Sequence, residues 1–156
     1  MLEIGTNSYV TIEEADLYVS THYRTSDVER ETWTELSEED KQVLLLQASS
    51  ALEQLPIIGR KSSRVQSLAF PRWPMTEVPM AVKHAQIEEA VARGDGQSLQ
   101  EHAETAGRLR RGVRSFSIGN FSESYRVNRS IDPVLVSEKA ATLLQRYTGG
   151  GFLVCP

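Results

Sequence analysis

Few residues in this chain have the types and spacing that chemistry asks for. His22, His84 and His102 stand far apart and share no metal-ligand spacing. Cys155 is the single cysteine, which rules out an internal disulfide or an all-cysteine metal site. Nothing beside it would activate it, and it reads as an incidental thiol. Adjacent carboxylates such as Glu13-Glu14 and Glu88-Glu89 fit solvated helix surfaces, with no sign of a general acid–base pair. His84 falls on an apolar helix face, where a histidine is ordinarily a satisfied core residue. Gly149-Gly150-Gly151 follows a helical pattern instead of opening one, so it ends a helix and cradles no phosphate. The expectation is a protein with no catalytic residues, no cofactor and no bound metal.

The densest positive stretch is Arg108, Arg110, Arg111, Arg114, Arg126 and Arg129, set against Glu123 alone. Phe116, Phe121 and Tyr125 lie among these arginines, the mixture on which single-stranded bases stack. The same phenylalanines are also what a hairpin needs in order to bury itself. The imbalance extends to the whole chain. Residues 1–55 hold 12 acids and 3 bases, and the remainder holds 9 acids and 14 bases, a balance of −9 against +5. Three readings fit: a solvated surface, a head-to-tail contact between the acidic half of one subunit and the basic half of the next, or a phosphate-facing groove.

These residues sit on a chain of 156 residues, enough for a single domain with its own core. Apolar residues make up 40% and charged residues 24%, the balance of a globular protein. The formal charge of −4 gives no general attraction for nucleic acid. The opening residues lack the basic end and apolar run of a secretory signal. No stretch approaches the ~20 apolar residues that cross a bilayer, so no membrane contact is expected.

The periodicity predicts a mainly α fold, a small domain of four to five helices with a hairpin arm. Thr11-Ile-Glu-Glu14 is a capping box that opens a helix near 12–23, with Ile12, Ala15, Val19 and His22 at helical spacing. Residues 24–36 read as polar and irregular, anchored by Trp33 and Leu36. Ser37 opens a helix over 38–54 with acids in its first turn. Leu44, Leu45, Ala48, Leu52 and Leu55 line its apolar side, widened by Val43 and Leu46, and Pro56 ends it. This helix reads as the centre of the core. Leu68-Ala-Phe-Pro-Arg-Trp-Pro74 is extended. Trp73 in it reads as a core plug, or else as a surface for a peptide or another subunit. A third helix starts at Pro79, with Met80, His84, Ile87 and Val91 on one face. A weaker fourth covers 97–109.

Residues 113–125 change period. Phe116 and Ile118 alternate with serines, Gly119-Asn120 supplies a two-residue turn, and Phe121, Glu123 and Tyr125 alternate again. Ile118 should face Phe121. The last helix should start with Asp132 as N-cap and Pro133 at its first position. Val136, Ala140, Leu143, Leu144 and Tyr147 form its apolar face. A tail, 148–156, ends in Phe152-Leu153-Val-Cys-Pro156.

Read in order, several segments resemble one family. They are Asn7-Ser-Tyr-Val-Thr-Ile-Glu-Glu-Ala-Asp-Leu-Tyr18, Trp33 with Leu36 and Asp40-Lys41, Leu45-Leu-Gln-Ala48, Gly59-Arg-Lys61, Leu68-Ala-Phe-Pro-Arg-Trp-Pro74 and Val78-Pro-Met-Ala-Val-Lys83. This order is similar to the head–tail connector (adaptor or head-completion) proteins of tailed bacteriophages, some of which carry the label DnaT-like single-stranded DNA-binding protein. The most specific piece contains Phe70, Pro71, Arg72 and Trp73. The resemblance implies a structural neck protein, in the virion and in the host cytoplasm during assembly. Its subunits form a ring, commonly twelve-fold, below the portal protein, and are monomeric or not in isolation. The ring lets packaged DNA through without reading its sequence and docks a downstream neck or tail protein. Arg110, Arg111, Arg114, Phe116, Phe121, Tyr125, Phe152 and Leu153 are then the candidates for subunit and portal contacts. The alternative is a single-stranded DNA-binding protein.

Overall fold

The computed structural model describes residues 1–96, 100, 103–104, 107, 115–118, 121–124 and 134–148. It is mainly helical, as the periodicity predicts. Helix α1 runs Ile12–His22, and both halves of the Thr11–Glu14 capping box are formed. Helix α2, Val28–Glu35, lies within the stretch read from sequence as irregular. It is short and mostly wet, and of its residues only Trp33 is fully buried, so one buried aromatic replaces an apolar stripe. The Trp33 Nε1–H donates to Asp16 Oδ1 at 2.8 Å, and Lys41 Nζ donates to the same oxygen at 2.9 Å. That shared carboxylate joins α1, α2 and the next helix.

Helix α3, Glu38–Glu53, is capped by the Ser37 hydroxyl. It buries Leu45, Ala48 and Leu52, whereas Val43 stays exposed. Helix α4 runs Met80–Gly94 and packs on both α3 and the C-terminal helix. The core centres on α4 instead of α3. Its residues 85–91 are all buried, polar ones included, because partners cover it on more than one side. Met80, expected on the buried face, is exposed. Gly94 sits where a Cβ would come within 3.2 Å of the Leu44 side chain, so a glycine lets α3 and α4 close together there.

Beyond α4, position 96 is helical, as are positions 100, 103, 104 and 107 of the expected fourth stretch. Strands β1 (Ser115–Ile118) and β2 (Phe121–Ser124) pair antiparallel, with Ile118 opposite Phe121. The turn between them, and the rest of the expected arm 113–125, lie outside the described residues. Helix α5 covers Glu138–Leu144 and begins later than expected, with the Ser137 hydroxyl as its cap. Asp132, Pro133 and Gly149–Gly151 lie outside the described residues. A 3-10 turn, Gln145–Tyr147, follows, and Thr148 bridges to Ile57. No helix among the described residues is long and apolar enough to cross a membrane.

Candidate interaction surface

The buried carboxylates of the helical body are partnered within it. Glu88 and Glu89, read from sequence as solvated, are buried on α4. Glu89 accepts from Val136 N at 3.0 Å, Ser137 N at 2.9 Å and Arg93 Nε at 2.8 Å. It thereby holds the start of α5 with a fully partnered carboxylate. Glu88 accepts from the hydroxyls of Tyr18 and Tyr23, and Lys139 Nζ donates to Tyr23 Oη at 2.9 Å. Burial, and then the bond to Glu88, push both tyrosine hydroxyls well above their ordinary range, so they remain proton donors. Gln86 is a second buried hub. Its Oε1 accepts from Tyr9 N, and its Nε2 donates to Ser8 Oγ and Leu45 O. Small neighbours, Ala85 and Ala90, and apolar residues on several sides of α4 were the available sign that this helix is enclosed.

Two of the three histidines meet. Tyr18 stacks on His22 with centroids 3.9 Å apart and lies 4.6 Å from His84, while the two imidazoles are 5.7 Å apart. Burial, then the nearby His22, lower the pKa of His84. His84 is half-buried instead of being enclosed in the core. His102 lies outside the described residues. Among the described residues no group of three or more His, Cys, Asp or Glu is placed to hold a metal.

The segment between α3 and α4 behaves differently. Its root is anchored: Leu68, Ala69 and Phe70 are buried, and Phe70 meets Tyr9 and Tyr147 edge-on at centroid distances of 6.2 and 5.2 Å. Ala69 N donates to Glu53 Oε1 at 3.0 Å, and the Tyr9 hydroxyl donates to the same carboxylate oxygen. Its body is held by its own polar groups. Lys61 bridges Arg72, Trp73 N donates to Arg60 O at 3.0 Å, and Arg72 Nη1 donates to Gly59 O at 2.7 Å. Lys61 Nζ donates to the carbonyls of Gln66 and Ser67. Gly59 has φ +86°, a conformation that glycine takes without strain.

What this frame holds outward is apolar and positive. Trp73 is 60% exposed, so it is no core plug; Phe70 already fills the space between Tyr9 and Tyr147. The Arg60 guanidinium lies over the Trp73 ring, 4.8 Å from its centroid. Val65 is 91% exposed, and Ile58, Met75 and Met80 are exposed too. Arg64 points to solvent with no ion pair among the described residues. The motif Phe70-Pro71-Arg72-Trp73 is thus divided between an anchor and a display. The usable signal in the sequence was an aromatic close to Arg60, Lys61, Arg64 and Arg72, with Glu77 as the one nearby acid.

Of the contact residues expected from sequence, Phe116 stands opposite Glu123 in the β1–β2 pair, and Phe121 stands opposite Ile118. Arg110, Arg111, Arg114, Tyr125, Phe152 and Leu153 lie outside the described residues, as does Cys155. A family model described as "Putative DnaT-like ssDNA binding protein" matches residues 2–155. No curated protein and no solved structure matches the chain.

Proposed function

The chain belongs to this DnaT-like family, and from that premise we propose that it is a structural neck protein of a tailed bacteriophage. In this reading it is a head–tail connector subunit that assembles as a ring below the portal and extends the DNA channel. It docks the next neck or tail protein and performs no catalytic step. The observation that carries the reading is the loop over residues 57–75. A ring subunit needs a shaped surface held out to partners, and this loop presents Val65, Trp73 and Met75 from a frame of internal hydrogen bonds. Exposed apolar groups mark contact sites where they form one patch. The order of motifs from Asn7 to Lys83, which resembles the connector proteins, supports the same reading. The buried polar groups support it from the other side, since Gln86, Glu88 and Glu89 bond to the protein's own structure.

The test is to mix the protein with portal rings and image the product by negative-stain microscopy. An added ring of density on one face of the portal is expected. Bare portals at saturating protein would overturn the reading.

A second reading, single-stranded DNA binding, is favoured by the family description and by one feature, the Arg60–Trp73 stack. An exposed indole flanked by cations can stack on a base. An oligonucleotide titration followed by tryptophan fluorescence separates the two. Quenching at physiological salt that disappears in Trp73→Phe would favour the DNA reading. Unchanged emission leaves the connector reading in place.

A further inference from the structure

We propose that the tip of the 57–75 loop seats on the α2–α3 junction of a second copy of this chain, so that subunits join head to tail. This rests on the ring-subunit reading and names the surfaces that would build the ring.

The junction carries the complement of the loop. Val28, Glu31 and Glu35 recur along one face of α2 at steps of three and four, and all three are exposed. Glu38 and Glu39 follow in the first turn of α3, also exposed. Glu31, Glu35, Glu38 and Glu39 have no ion pair or hydrogen-bond partner among the described residues. Residues 27–40 hold seven acids and Arg30 as the one base. The loop offers the opposite charge around an apolar centre. The Arg60 guanidinium lies over the face of Trp73, Arg64 is unpaired among the described residues, and the next residue, Val65, is 91% exposed. Each surface thus combines exposed apolar atoms with uncompensated charge of one sign, and the signs are opposite. Such pairing speeds encounter and sets register.

Within one chain the two surfaces are rooted at opposite ends of α3. The loop is anchored at the Glu53 end of α3 through Ala69 N and the Tyr9 hydroxyl. The acids sit at the Glu38 end, about 22 Å away along the helix. A contact that joins opposite ends of like subunits is heterologous, and it closes into a ring when the rotation permits.

The test uses the full chain in two charge-reversed forms, Arg60→Glu/Arg64→Glu and Glu31→Arg/Glu35→Arg. All four sites are exposed, so both variants should keep the wild-type helical spectrum and melting temperature. Self-association is read by sedimentation velocity across a range of concentration and salt. Wild type should associate, more weakly at high salt. Each variant alone should lose affinity by about tenfold or more, because like charges then face each other. The equimolar mixture should regain it, since both mixed contacts are again complementary. The proposal is overturned by a wild type that stays monomeric alone and on portals, by variants that associate normally, or by a mixture that fails to recover. It is also overturned if the Arg60/Arg64 reversal removes oligonucleotide binding and leaves self-association intact. If the mixture fails while wild type still decorates portal rings, the connector reading survives and only this contact is lost. If the mixture recovers but no portal is decorated, the contact stands without the connector.

Discussion

Two regions of this molecule are rich in charge, and they use it in opposite ways. At the α4–α5 contact, Glu88 and Glu89 lie inside the protein, bonded to tyrosine hydroxyls, backbone N–H groups and Arg93. In the 57–75 loop, Arg60 and Arg64 are exposed, and Arg60 lies over an exposed tryptophan. A buried carboxylate is costly unless its partners are complete, so the first region is built for structural integrity. Exposed charges add little to stability on their own, so the loop's charges are free to serve the contact proposed above. The comparison teaches where to expect each class of defect: mutations in the α4–α5 clip that Glu88 and Glu89 form should unfold, and mutations in the loop should disconnect.

The largest effect should follow Glu89→Ala. It leaves Arg93 Nε and the N–H groups of Val136 and Ser137 without their acceptor. Breaking a buried pair from one side costs about 3–5 kcal/mol. Urea unfolding should show a lower midpoint, and hydrogen exchange in α5 should rise first. A midpoint within error of wild type would mean that the clip is not what holds α5.

A smaller loss is expected for Tyr9→Phe. The tyrosine hydroxyl donates to Glu53 and accepts from Phe70 N at 3.3 Å, so it ties the loop's root to α3. Burial and the Glu53 carboxylate push its pKa up, so the hydroxyl stays a donor throughout the accessible pH range. Removing it should cost about 1–3 kcal/mol, the range for leaving a buried partner unsatisfied. The loop's exchange protection should fall along with the global midpoint. Loss of one without the other would show that root and body are uncoupled.

The helices α1 and α3 were legible because their caps and spacing are local: Thr11 with Glu14, Ser37 with Asp40. The β1–β2 register was legible from the alternation around Gly119-Asn120, since period two fixes which residues face each other. Helix α2 was not, because its one strong anchor, Trp33, is satisfied by Asp16, 17 positions away. The burial of Glu88 and Glu89 was hidden for a similar reason. Their partners Tyr18, Tyr23, Val136 and Ser137 come from distant parts of the chain. Two glutamates in a row look the same on a wet helix as on an enclosed one. At the loop, the composition of Leu68–Pro74 marked something specific, but not which aromatic goes inward. Only the tertiary position of Tyr9 and Tyr147 decides that Phe70 is enclosed and Trp73 is not.

A pH dependence should come from the edge of the clip. His84 has its pKa lowered below 6.5 by burial and then by His22, against a smaller opposing pull from Glu88. The unfolded chain therefore binds a proton more readily than the folded one, and stability rises with pH through this window. The loss begins as pH falls below about 6.5, and it is complete once pH is under the lowered value. Urea midpoints between pH 7.5 and 5 should decline less in His84→Gln than in wild type. Parallel curves would assign the slope to other groups.

The smallest effect on stability should come from Trp73→Ala, and there the comparison is sharpest. Trp73 is 60% exposed, while Trp33 is 2% exposed and hydrogen-bonded to Asp16. Surface substitutions of this kind stay within about ±0.5 kcal/mol, whereas emptying the Trp33 site should cost about 3–5 kcal/mol. Loss of Trp73 should leave the melting curve in place and remove self-association and portal decoration. A large fall in stability would show that the Arg60–Trp73 stack holds the loop's own shape. Unchanged stability with unchanged assembly would strip the indole of any role in recognition. Either result would remove the loop's exposed tryptophan from the contact proposed above.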